Sequence, residues 1–183
     1  MALPALLVAA ALAPSNPNWE AGVVTSYVRS GGFDGPGIAA QYLWAPSDYF
    51  AVGPTIDLAY LSSGGLQSGN GLPASYAFTS TFAGGMVRLS LPLGVVEPYA
   101  AIGLGYADAA RRGAVHTQCG FHSGLSGLLA LGGSAAVGDH LTVGLRGSAR
   151  SAAWEQSCTA IGGPATFDAI RLFALSSTLA YRW

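Results

Sequence analysis

The stretch Leu172-Phe173-Ala174-Leu175-Ser176-Ser177-Thr178-Leu179-Ala180-Tyr181-Arg182-Trp183 repeats with a period of two. Trp183, Tyr181, Leu179, Leu175 and Phe173 share one parity, with Ser177 between them. Arg182, Ala180, Thr178, Ser176 and Ala174 share the other. Successive side chains of a strand point to opposite faces, so this is a β-strand with one bulky apolar face and one small or polar face.

Composition widens that reading to the whole chain. Hydrophobic residues make up 51% of it and charged residues only 9%, against about 25% in ordinary proteins. That is too little charge to clothe a water-exposed surface, which opposes a soluble lipocalin-like barrel. The net charge of −1 offers no basic field for nucleic acid. Helical spans need about 20 consecutive apolar residues. The longest candidate beyond the amino-terminus, Leu125 to Val137, is short and broken by Gly127, Gly132 and Gly133. The 26 glycines would weaken helices by about 1 kcal/mol each, so strands fit better. Residues Ala2 to Ala13 are apolar and small, with Ala11-Leu12-Ala13 as a cleavage-like triplet. Residues 1–18 are therefore expected to be a signal-peptide remnant or a disordered tail, and residues 19–183 the folded unit.

Eight alternating segments follow: Trp19–Arg29, Gly37–Trp44, Tyr49–Leu61, Tyr76–Leu91, Pro98–Ala107, Gly124–Val137, Leu141–Ser151 and Ala169–Trp183. Ala45 to Asp48, Pro92 to Glu97 and Gly138 to His140 are short turns. Ser62 to Ser75, Asp108 to Ser123 and Ala152 to Asp168 are long loops, with a shorter one at Ser30 to Pro36. Short turns at one end and long loops at the other are the pattern of a membrane barrel, with both termini at the short-turn end. Pro54 counts against the third segment as a strand, because proline removes a ladder hydrogen bond, and a bulge there would reconcile the two.

Glu97-Pro98-Tyr99-Ala100-Ala101-Ile102-Gly103-Leu104-Gly105-Tyr106 resembles the "PY-x-x-x-G-x-G" strand of the OmpA-like and OmpW-like superfamily of small bacterial outer-membrane barrels. With the turn Gly138-Asp139-His140-Leu141 and the terminal strand, the resemblance covers nearly all of Trp19 to Trp183. It implies an all-β protein, an eight-stranded antiparallel up-and-down transmembrane β-barrel in the bacterial outer membrane, without an added periplasmic domain. The implied partners are outer-membrane lipid and lipopolysaccharide, and the barrel-assembly machinery acting on the terminal aromatic strand. Structural anchors, adhesins, small-solute channels and a few lipid-modifying enzymes share this architecture.

The two faces then separate by chemistry. Trp19, Tyr27, Trp44, Phe50, Tyr60, Tyr106, Tyr181 and Trp183 suit interfacial aromatic girdles. Glu20, Gln41, Asp57, Arg88, Arg146, Arg150 and Arg182 fall on the opposite parity and should point inward, because an ion in hydrocarbon costs several kcal/mol. The expected network has Glu20 and Asp57 accepting from Arg88 and Arg146. Its plain role is to fill the barrel; the alternative is a narrow arginine-lined solute path.

Cys119 and Cys158 fall in two loops of the same rim and are expected to form a disulfide in an exported protein. His116, Cys119 and His122 lie at intervals of three, but loops impose no ligand geometry, so no metal site is expected. In a lipid A deacylase on this scaffold, His and Ser stand two apart on one strand. Here His122 and Ser123 are adjacent and would face opposite sides, as would His116 and Thr117. His140 sits in a short turn and should simply be solvated. No nucleotide-binding or nucleophile-elbow motif is present. The expectation is a non-enzymatic barrel without cofactor, whose long loops serve surface recognition of an unspecified ligand, with a narrow channel as the alternative and a lipid-modifying enzyme behind it.

Overall fold

A computed structural model describes residues 18–30, 33–62, 66–67, 73–74, 77–112, 119–121, 124–152, 156–158 and 170–183. The expected leader, the His116-Thr117 and His122-Ser123 pairs and most of the long loops lie outside the described residues. Eight long strands close on themselves: β1 (Asn18–Ser30), β2 (Phe33–Ser47), β3 (Phe50–Ser62), β6 (Ala77–Ser90), β7 (Val96–Arg112), β9 (Gly124–Ala136), β10 (Leu141–Ala152) and β12 (Ile170–Arg182). Every neighbouring pair is antiparallel, in the order β1-β12-β10-β9-β7-β6-β3-β2. The chain is an eight-stranded up-and-down β-barrel. Closure joins β1 to β12 from Glu20↔Arg182 to Arg29↔Phe173. Trp19 and Trp183 complete it by exchanging backbone hydrogen bonds of 3.1 Å. A closed ladder leaves no free edge, which a sheet in hydrocarbon requires.

Alternation decides what each strand buries. Along β3, Ala51, Thr55, Ala59 and Leu61 turn inward and are buried, while Ile56, Leu58 and Tyr60 face out. Along β12, Leu172, Ser176 and Ala180 are buried, while Phe173, Leu175, Leu179 and Tyr181 face out. The outward apolar set continues around the wall: Leu104 is 69% exposed, Leu145 67% and Ile102 62%. Water would meet this band at high cost, whereas lipid satisfies it. The strands of 12 to 17 residues exceed the roughly 9–11 needed to cross a bilayer at a tilt.

Several boundaries move from their sequence expectation. β2 starts at Phe33 because β1 supplies partners as far as Ser30↔Phe33, so the first loop reduces to residues 31–32. β7 runs to Arg112 because β6 pairs with it down to Ala77↔Arg112. Asp108 therefore belongs to a strand. Pro54 requires no bulge: it keeps register with Gly85 on β6. Toward β2 the ladder simply lacks pairs between Gln41↔Thr55 and Trp44↔Val52, and the register shift falls between Trp44 and Ser47. Proline is tolerated where the ladder is already interrupted. At Gly53 beside it, a Cβ would lie 1.9 Å from the Tyr42 carbonyl oxygen, so only glycine permits that approach. Gly94 and Gly138 adopt positive φ (73° and 86°) within the short turns.

The connections carry structure of their own. β4 (Leu66–Gln67) pairs with β5 (Pro73–Ala74) inside one loop. β8 (Cys119–Phe121) pairs with β11 (Gln156–Cys158), tying two different loops together.

Candidate functional site

The barrel interior holds its ionic groups in two tiers. Near the short-turn end, Glu20 from β1 is 1% exposed. It accepts both terminal nitrogens of Arg88, from β6, at 2.6 and 2.7 Å. It also accepts Nε of Arg182, from β12, at 2.9 Å, and Nε2 of Gln41, from β2, at 3.3 Å. Arg182 extends the cluster to Glu97 at the start of β7, at 3.0 Å. Five strands are thereby cross-linked through their inward faces. The guanidinium of Arg88 also lies 5.6 Å from the Tyr99 ring centroid, within cation–π range. Arg88, Glu97 and Arg182 also border a recess of about 20 Å³ near this end, roughly one water.

The second tier stands nearer the loop end. Arg150 from β10 donates to Asp57 of β3 at 3.2 Å and to the Ser80 hydroxyl of β6. Its guanidinium lies over Phe82 at 5.6 Å. Above it, Val28, Ala59, Leu61 and Leu172 form an apolar layer. Phe33 and Phe78 pack against that layer, edge to face with ring centroids 5.1 Å apart. Leu43, Ala51, Met86, Ala101 and Ala130 make another apolar cluster in the interior. Side chains fill such a small barrel rather than line a pore.

Arg146 meets neither acid expected for it. It is 4% exposed and makes no hydrogen bond or ion pair among the described residues, and its buried Nε lacks a partner. Asp57 and Tyr99 lie within electrostatic range. Asp57 instead pairs with Arg150, and Glu20 with Arg88 and Arg182. The shear of the closed sheet sets these pairings, which no single strand reveals.

Outside, the aromatic residues gather toward the ends. Trp19 stacks on Tyr42 with centroids 5.1 Å apart, and Tyr42 and Tyr181 each lie 6.0 Å from Trp183. His140 stays exposed but stacks on Tyr181 at 5.4 Å, and its Nδ1 lies 2.9 Å from the Arg182 carbonyl oxygen. Trp44 faces out near the same end; Tyr27, Tyr60 and Tyr106 face out toward the loop end. Two girdles flank the apolar band, as at the two faces of a membrane.

No protein-family model matches the chain, and no curated protein sequence matches it. Solved structures do. Neisserial surface protein A superposes with a TM-score of 0.60 at 14% identity, over 92% of this chain and 98% of that one. The outer membrane protein OprG from Pseudomonas aeruginosa superposes at 0.66 with 8% identity, over 93% and 97%. The outer membrane protein AlkL, solved in lipid bilayers, gives 0.56 at 14% identity, over 93% and 92%. The chain has the fold of the small outer-membrane barrels.

Within this barrel, sequence reasoning missed Glu97, Ser80 and Tyr42. Glu97 shares the inward parity of Tyr99 and Ala101, so extending the fifth segment by one residue would have found it. Ser80 carries no signal of its own; only the approach of Arg150 gives it a role. At the opposite rim, Cys119 and Cys158 face each other in the register of β8 and β11.

Proposed function

We propose that the protein is a non-enzymatic structural barrel of the bacterial outer membrane that presents its long loops for surface recognition. One observation carries this reading: the interior is filled by ion pairs at the short-turn end and by an apolar layer at the loop end. The loop end also builds ladders beyond the barrel wall. A rigid cylinder with elaborated loops is a scaffold for binding. The apolar belt and paired girdles support residence in an outer membrane, with the short turns toward the periplasm. The interior ion pairs serve to brace the wall.

A disulfide between Cys119 and Cys158 belongs to this proposal. Directly opposed residues of an antiparallel pair have Cα atoms about 4.5–5.5 Å apart, inside the span a disulfide bridges. The two thiols lose two protons and two electrons to a thiol–disulfide oxidase of the export compartment, and the bond pins two recognition loops together.

The decisive test compares cells carrying the protein with cells carrying a variant in which residues 63–76 are replaced by a short Gly-Ser turn. Both strains are applied to immobilised matrix proteins and glycans. The expected result is attachment by the first strain, lost in the second although its barrel stays resistant to unfolding in detergent. Attachment no greater than that of cells lacking the protein would overturn the reading.

A further inference from the structure

The outer wall is not evenly covered. A groove of about 650 Å³ crosses it between Ile102, Leu104 and Leu129, over Gly85 and Gly127, and ends at Arg171. A second, of about 530 Å³, runs between Leu131, Leu175 and Tyr27, over Gly147 and Ala149, and ends at Arg29. Both lie in the size range of ligand sites. Leu129 and Phe173 border both, so the troughs are adjacent.

Wall packing does not require these recesses. A Cβ on Gly85 would meet nothing within 4 Å, on Gly127 nothing nearer than 3.9 Å and on Gly147 nothing nearer than 4.0 Å. Side chains could fill the troughs without disturbing the sheet, yet the floor is bare. This differs from Gly53, where backbone crowding forbids anything larger.

The cations complete the pattern. Arg29 is opposite Phe173 across β1 and β12, and Arg171 stands two residues further along the same face of β12. Diagonal neighbours of this kind lie about 7–8 Å apart. Both arginines are exposed at the loop end, and neither makes an ion pair with a described residue. Asp34, the acid opposite Arg29 on β2, accepts from the Tyr27 hydroxyl. Two guanidiniums above two apolar troughs match an amphiphile with phosphate at its head and several acyl chains below.

We propose that these grooves and the Arg29–Arg171 pair form a site for a phosphorylated, multiply acylated glycolipid of the outer leaflet. The inference rests on the outer-membrane reading, which sets the loop end at the cell surface. Acyl chains lie along the glycine floors, and the phosphates meet the two arginines. The site is distinct from the loops proposed for recognition and from the interior ion pairs.

Native mass spectrometry of the detergent-solubilised barrel tests it. The probes are hexa-acylated lipid A with both phosphates, the same lipid dephosphorylated, and phosphatidylglycerol. The barrel is expected to retain intact lipid A at least tenfold more than either other lipid. The double variant Arg29→Gln/Arg171→Gln should lose that preference, and Gly147→Leu should weaken retention of every acylated probe. Gel mobility before and after boiling confirms that each variant is folded. Equal retention of the three lipids, or an undiminished preference in the double variant, would overturn the site. Recovery of the protein outside the outer-membrane fraction would instead sink the outer-membrane reading.

Discussion

Glu20 is the residue on which the interior turns. Its carboxylate is buried and holds two guanidiniums, one from the adjacent strand β12 and one from β6 across the interior. Such groups are costly to desolvate, so breaking the set is worse than never having built it. Glu20→Gln should destabilise the barrel by about 3–5 kcal/mol, read as the shift in its urea unfolding curve in lipid vesicles. Arg146 is the opposite case, a buried cation with no hydrogen bond or ion pair among the described residues. An unsatisfied buried group costs about 1–3 kcal/mol, so Arg146→Met should leave stability unchanged or raise it within that range. Arg88→Met, which orphans Glu20, should lower it. Equal losses in Arg146→Met and Arg88→Met would mean that Arg146 has a partner in the membrane-embedded protein.

At the scale of the strand, the governing fact is parity. Leu145 of β10 faces out and its neighbour Arg146 faces in, so one residue separates hydrocarbon from the ionic interior. Leu145→Arg should cost about 2–4 kcal/mol in the same unfolding assay if the side chain lies near the bilayer midplane. Gly53→Ala presses a methyl group against the Tyr42 carbonyl oxygen and should cost about 1–3 kcal/mol, as overpacking does. Between loops, the opposed register of Cys119 and Cys158 gives a simpler readout. Thiol titration of the unfolded, unreduced protein should find no free cysteine, and titration after reduction should find both.

For the whole molecule, closure and filling act together. Closure removes the sheet edge that lipid cannot satisfy, and the small diameter leaves an interior that side chains can occupy. Ion pairs occupy the interior near the short-turn end, and Phe33, Phe78, Leu61 and Leu172 pack together toward the other. The refolded protein should give no unitary current steps in a planar bilayer. Stable steps would require these two layers to part and would favour the channel alternative.

The alternation ending at Trp183, the scarcity of charge and the unequal connections were legible in the sequence because each is local. Strand period, face and exterior chemistry follow from the order of residues along one segment. The inward parity of Glu20, Asp57, Arg88, Arg146, Arg150 and Arg182 could be read in the same way. Their partners could not. Glu20 meets Arg182 because β1 closes on β12, and it meets Arg88 because both reach the same height across the interior. Arg146 pairs with neither acid among the described residues for the same reason. Strand extensions such as Asp108 to Arg112 likewise depend on what β6 offers opposite them. Alternation is a property of a segment, whereas pairing across a closed sheet depends on its stagger, which only the assembled cylinder defines.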